Sequence, residues 1–171
     1  DSALIPQFSE LDDWLLSSLE TLVRDVTRAY ENYDVIAATR PVEKFVDELS
    51  NWYLRRSRRR FWKSESDADK AAAYETLYKA LVTISKLIAP TMPFMAETIY
   101  RNLVTSVDED APVSVHLAEW PKAEEGLIDE ELNRDMTLVM KLASLGHSAR
   151  NKSNIKVRQP LSEAAFAVGK A

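Results

Sequence analysis

The sequence predicts an all-α fold, an antiparallel bundle of about five helices, on three observations. Apolar residues recur at three- and four-residue spacing through several long stretches. Ser/Asp-type helix starts precede two of those stretches. Only three glycines occur in 171 residues, too few for a sheet with many tight turns. A hydrophobic content of 46% with 29% charged residues suits a folded globular chain rather than a disordered one.

The elements follow in order. Ser9, Glu10, Leu11 and Asp12 read as a cap and an acidic first turn. Behind them Leu15, Leu19, Leu22, Val26, Tyr30 and Tyr33 form one stripe of a long first helix. A second pattern from about Asp34 places Val42, Phe45, Val46, Leu49 and Tyr53 on one face, and Pro41 predicts a kink or a true start near Thr39. Ser66 to Asp69 open a third helix with the stripe Tyr74, Leu77, Tyr78, Leu81, Ile84 and Ile88. Pro90 stops it, and Pro93 suits the first turn of a short fourth helix to about Leu103. Val113, Val115 and Leu117 alternate with polar residues between Pro112 and Pro121, predicting a short extended segment near 113–118, either an ordered loop or an edge strand. A fifth helix is expected from about Ile128 to Leu145, with Gly146 as its stop or weak point, and residues 164–168 read as a strand cut off from its partners. Residues 1–150 are read as the helical domain and 151–171 as a basic tail.

Several chemistries lack their residues. Without cysteine there is no disulfide, thiolate metal site or cysteine nucleophile. His116, with Glu119 three residues on, lies outside the helical pattern, and His147 stands alone, so neither a metal nor a catalytic residue is expected. The pairs Asp12–Asp13 and Glu130–Glu131 sit at helix starts, where they complement the helix dipole. No apolar run approaches the roughly 18 residues of a membrane span. Residue 1 does not open a signal peptide, and a cytoplasmic protein is expected.

Charge is distributed unevenly. The net charge is −7 over residues 1–54, +6 over 55–63, −9 over 64–140 and +5 over 141–171. An acidic body with two concentrated basic segments points to an anionic partner met at particular places. At 100° per residue, Phe45, Leu49, Val42, Tyr53 and Val46 occupy one side of the second helix, while Asn51, Arg55, Arg58 and Trp62 cluster on the other. Arg59 adjoins that outer stripe, whereas Arg56 and Arg60 prolong the apolar direction and are expected to meet acidic neighbours or a missing domain. Guanidinium groups bind phosphates bidentately, and an indole offers a stacking face for an unpaired base, so the stripe predicts nucleic-acid binding. The competing reading is a solvated arginine face with Trp62 tucked against the next helix. Lys156 and Arg158 in the second basic segment are candidates for the same nucleic-acid backbone.

Residues 51–62 (NWYLRRSRRRFW) closely resemble the signature helix in the anticodon-binding region of isoleucyl-tRNA synthetases. Residues 89–97 (APTMPFMAE) resemble a helix junction shared by the class I synthetases for isoleucine, valine, leucine and methionine. Residues 114–121 (SVHLAEWP) and 156–161 (KVRQPL) are similar to the isoleucine enzyme and occur in the same order. Pro41 and Leu54 depart from the pattern, the second in a volume-tolerant way. The resemblance implies a class I anticodon-binding bundle that packs along the anticodon stem and loop of tRNA(Ile). It implies a parent enzyme that attaches isoleucine to tRNA with ATP and magnesium, a catalytic domain in cis, and a monomer. The family's His-x-Gly-His and Lys-Met-Ser-Lys-Ser elements do not occur in these residues, so no cofactor and no catalysis are expected of the chain itself. Residues 151–171 would lead into a further C-terminal module. The valine enzyme, disfavoured by the arginine-rich helix, and a helical scaffold for an acidic protein are the alternatives.

Overall fold

A computed structural model describes residues 5–63 and 66–167. Among the described residues six α-helices run in order: α1 (Glu10–Glu31), α2 (Val35–Glu48), α3 (Arg55–Lys63), α4 (Asp67–Ile88), α5 (Pro93–Tyr100) and α6 (Glu130–Lys152). A π-helical turn, Leu49–Leu54, joins α2 to α3 without a break, and a second, Arg101–Thr105, prolongs α5. No strand forms among the described residues, in keeping with the all-α prediction. The chain divides into two compact units, residues up to Asp129 and residues from Glu130 onward. This division into packed units is separate from the 150/151 domain boundary expected from the sequence.

In the first unit α1 supplies Trp14, Leu15, Leu19, Val23 and Val26 to the core, and α2 supplies Ala38, Val42 and Phe45. The α1 stripe ends at Tyr30. Tyr33 lies beyond the helix, at φ 58° and 93% exposed, in a tight turn that the Asp34 carboxylate closes by accepting from Ala37 N–H at 2.9 Å. Helix α2 therefore starts at Val35 and runs through Pro41. The carbonyl that Pro41 cannot serve, on Ala37, belongs to an exposed residue open to water. Val46 is exposed rather than inward.

Helix α4 differs from its predicted stripe. Tyr74 and Tyr78 are exposed, Leu77, Leu81 and Ile88 are half-buried, and the buried side is Ala72, Ala73, Thr76, Ala80, Ile84 and Leu87. Helix α4 packs against α1, α2, α3 and α5, and small side chains permit that close approach. Tyr74 instead meets Phe61 edge-on at 5.1 Å.

Residues 106–129 form an ordered connection laced to the helices rather than an edge strand. Val113 and Leu117 are exposed and only Val115 is buried, in a 3₁₀ turn at Val115–Leu117. Glu97 accepts from the Ser114 hydroxyl at 2.8 Å and from Val115 N–H at 3.0 Å. Those bonds, with Arg101, hold its carboxyl below the usual range. The Trp120 indole donates to Thr27 at 2.8 Å and meets Tyr30 edge-on. Buried Glu20 takes Lys79 at 2.9 Å and Glu124 N–H at 3.0 Å. Burial opposes the Lys79 charge, but Glu20 and Glu124 outweigh it and raise its pKa.

In the second unit α6 continues through Gly146 and ends at Lys152. Asn154, at φ 54°, takes the left-handed position. Its N–H donates to Asn151 O and that of Ile155 to Arg150 O, a Schellman ending. Gly146 has no positive φ and terminates nothing. Residues 164–167 are irregular, since a strand needs a partner, and Val168 of the expected strand lies outside the described residues.

Candidate nucleic-acid interface

The segment from Leu49 to Trp62 is held from its inner side. Leu49, Tyr53 and Ser57 are buried at four-residue intervals, and Arg60 follows at three. Asp12, fully buried at the start of α1, is where the anchor closes. Its Oδ1 accepts from the Tyr53 hydroxyl at 2.6 Å and from Arg60 Nη1 at 2.8 Å. Its Oδ2 accepts from Arg60 Nη2 at 2.7 Å, the Ser9 hydroxyl at 2.6 Å and Ser9 N–H at 2.8 Å. Arg60 Nε reaches Asp69 at the start of α4, also at 2.7 Å. One guanidinium thus ties α3 to both α1 and α4 with the bidentate geometry that favours Arg over Lys.

Burial alone would raise the Asp12 carboxyl, but the bonds from Arg60, Ser9 and Tyr53 hold it below the ordinary aspartate range. Tyr53 is pushed up by burial and by Asp12, and hydrogen bonding to Asp12 raises Arg60. Each group is fixed in the charge state the network requires.

With that side locked, the opposite side is presented outward. Asn51, Arg55, Arg58, Arg59 and Trp62 are all exposed, and Trp62 keeps 78% of its surface open, against the tucked alternative. Among the described residues no carboxylate pairs with Arg55, Arg58 or Arg59. Asn51 is less free, since its amide donates to Asp47 at 2.6 Å. Arg60 meets the acidic partners expected of it. Arg56 does not: its guanidinium lies over the Trp52 ring, 3.1 Å from the centroid. Burial and the neighbouring Arg55 charge both lower its pKa.

Lys156 and Arg158 are exposed in the second unit. There the Arg150 guanidinium donates to the carbonyls of Lys156 and Gln159 at 2.9 and 2.8 Å, fixing the backbone that carries them. The structure brings Asn51, Arg55, Arg58, Arg59 and Trp62 together on one helix and places Lys156 and Arg158 in a separate unit.

The anchoring role of Asp12 and the stacking of Arg56 on Trp52 escaped the sequence reading. The usable signal was Tyr53, whose hydroxyl on a buried stripe demands a polar partner. Among the described residues no group of three or more metal-ligating side chains forms, and no helix is long and apolar enough to cross a membrane.

A family model described as the anticodon-binding domain of tRNA ligase matches residues 12–165. Over 160 residues, 94% of its length, the chain is 57% identical to an isoleucine–tRNA ligase of Dehalococcoides mccartyi, of which it spans 16%. It is 53% identical to that of Clostridium novyi over 90% of its length, and 49% identical to that of Thermus thermophilus over 89%. It spans 15% of each of these two relatives.

Proposed function

The chain belongs to the anticodon-binding domain family of tRNA ligases, and from that premise we propose that it binds the anticodon stem and loop of tRNA(Ile) as part of an isoleucine–tRNA ligase. The observation that carries this reading is the outward stripe of Arg55, Arg58, Arg59 and Trp62 on a helix whose other side is locked by Arg60 and Asp12. Guanidinium groups without a carboxylate partner among the described residues, on a rigid element, suit phosphates at fixed spacing, and the open indole suits an unstacked base of a loop. Lys156 and Arg158 add backbone contacts from the second unit, and Asn51 a polar one beside Arg55.

In this reading residues 1–150 hold the helical domain, and 151–171 lead into a further C-terminal module. The ligase is a cytoplasmic monomer whose catalytic domain, in cis, uses ATP with magnesium. Residues 1–171 bind and do no chemistry. The test is binding of the chain to a tRNA(Ile) transcript, challenged with its anticodon stem-loop and with an unrelated hairpin of equal length. Competition by the cognate stem-loop at lower concentration is expected, with affinity falling as salt rises. Equal competition by both hairpins would overturn the assignment.

A further inference from the structure

Arg56 has no part in that reading. Its guanidinium Cζ lies 3.1 Å from the centroid of the Trp52 ring. At that separation an edge-on guanidinium would drive a nitrogen to within about 2–2.5 Å of the indole, since delocalised C–N bonds are about 1.33 Å long. The group therefore lies flat on the ring. Trp52 is half-buried with its Nε1 inside, so the surface beneath the guanidinium is fixed. Arg56 itself is exposed, and among the described residues no carboxylate pairs with it. Covered on one face by the indole, the guanidinium keeps its other face open.

The planarity of the group decides what it can take. All five N–H donors of a guanidinium lie in its plane, so a guanidinium flat on an indole points them sideways and turns a delocalised π face away from the ring. A phosphate needs the donors, whereas an unpaired base needs the face. Arg56 precedes Trp62 by six residues of regular helix, about 9 Å of axial rise, and Arg58 and Arg59 lie between them. We propose that Trp52 and Arg56 form a second base-stacking site, in which one unpaired RNA base closes on the open face of the guanidinium while a different base meets Trp62. This rests on the reading that α3 meets tRNA, and it gives Arg56 a contact that the outward stripe does not include.

The test is a cycle of protein and RNA changes. Arg56→Lys keeps the charge and loses the planar face. An abasic nucleotide, placed at each loop position of the tRNA(Ile) anticodon stem-loop in turn, removes one base and keeps the phosphates. Affinities are measured on residues 1–171, below the melting temperature of every variant. With the intact stem-loop, Arg56→Lys should bind about 5- to 100-fold more weakly at an unchanged salt slope. At one loop position the abasic RNA should weaken the wild-type protein by a similar factor. It should weaken the Arg56→Lys protein by less than about twofold, because both changes remove the same contact. Trp62→Ala should couple to a different position. Wild-type affinity in Arg56→Lys would overturn the proposal and leave Arg56 a phosphate contact at most. So would losses that multiply independently at every position, which makes the pair a packing contact, or coupling of both variants to one position. A wild-type chain that does not prefer the cognate stem-loop to an unrelated hairpin would overturn the tRNA reading together with this proposal. A kept preference with no coupling at Arg56 would overturn this proposal alone.

Discussion

Asp12 accepts five hydrogen bonds in a site closed to water, two of them from the guanidinium of a residue 48 positions along the chain. Asp12→Ala would leave the largely buried Arg60 guanidinium with Asp69 as its remaining carboxylate partner among the described residues. The expected loss is about 3–5 kcal/mol of folding stability, measured by denaturant unfolding. The pH dependence follows from the sign of the shift. The folded carboxyl titrates below its unfolded value, so its contribution is complete above the unfolded pKa of about 4 and disappears as pH falls through the lower folded one. Asp12→Asn should therefore flatten the acid limb of the stability profile, and an unchanged limb would exclude the network as its source. Arg55 and Arg58 are governed by the opposite circumstance. Exposed, and without a carboxylate partner among the described residues, they contribute little to folding. Replacing either with Ala should leave the unfolding midpoint nearly unchanged and lower the slope of log affinity against log salt by roughly 0.7–0.9. Ser9 and Asp12 were legible as a helix start from their spacing alone. The burial of Asp12 was not, because Tyr53 and Arg60 reach it only through the tertiary fold.

Helix positions were readable from periodicity, and the misses have local physical causes. An ideal 3.6-residue period carries no sign of the π-helical turn at Leu49–Leu54, which widens the helix where its buried side passes from Leu49 to Tyr53. The aromatic stripe of α4 looked like a core face, but a helix packed against four others buries its alanines instead. Gly146 looked like a stop, yet Asn154 supplies the left-handed residue that ends α6. Pro41 raises an energetic question as well as a positional one. It sits inside α2, where its ring opposes the preceding turn and its missing N–H removes one helical bond. Pro41→Ala should stabilise the protein by about 1–3 kcal/mol, less what is lost because the unfolded chain gains freedom. A lower melting temperature for that variant would mean that the backbone constraint of Pro41 is required by the packing of Val42 and Phe45.

At the scale of the whole molecule, the acidic body and the two basic segments were plain in the sequence, as was the family, through residues 51–62 and 156–161. The division into two units at Asp129 was not, since it depends on what α6 packs against rather than on composition. A binding domain of this kind should show no isoleucine-dependent exchange of pyrophosphate into ATP. Turnover that follows the chain through purification would refute the assignment of chemistry to another domain. The central claim, that the outward stripe of the arginine helix meets tRNA, is tested most directly at Trp62, where packing and binding make different forecasts. With most of its surface open, Trp62→Ala should change folding stability by no more than about 0.5 kcal/mol. If the indole stacks on an unpaired base, tRNA affinity should fall by about 1–3 kcal/mol with the salt slope unchanged, because stacking releases no counterion. Wild-type affinity for tRNA(Ile) in a fully folded Trp62→Ala protein would contradict the account.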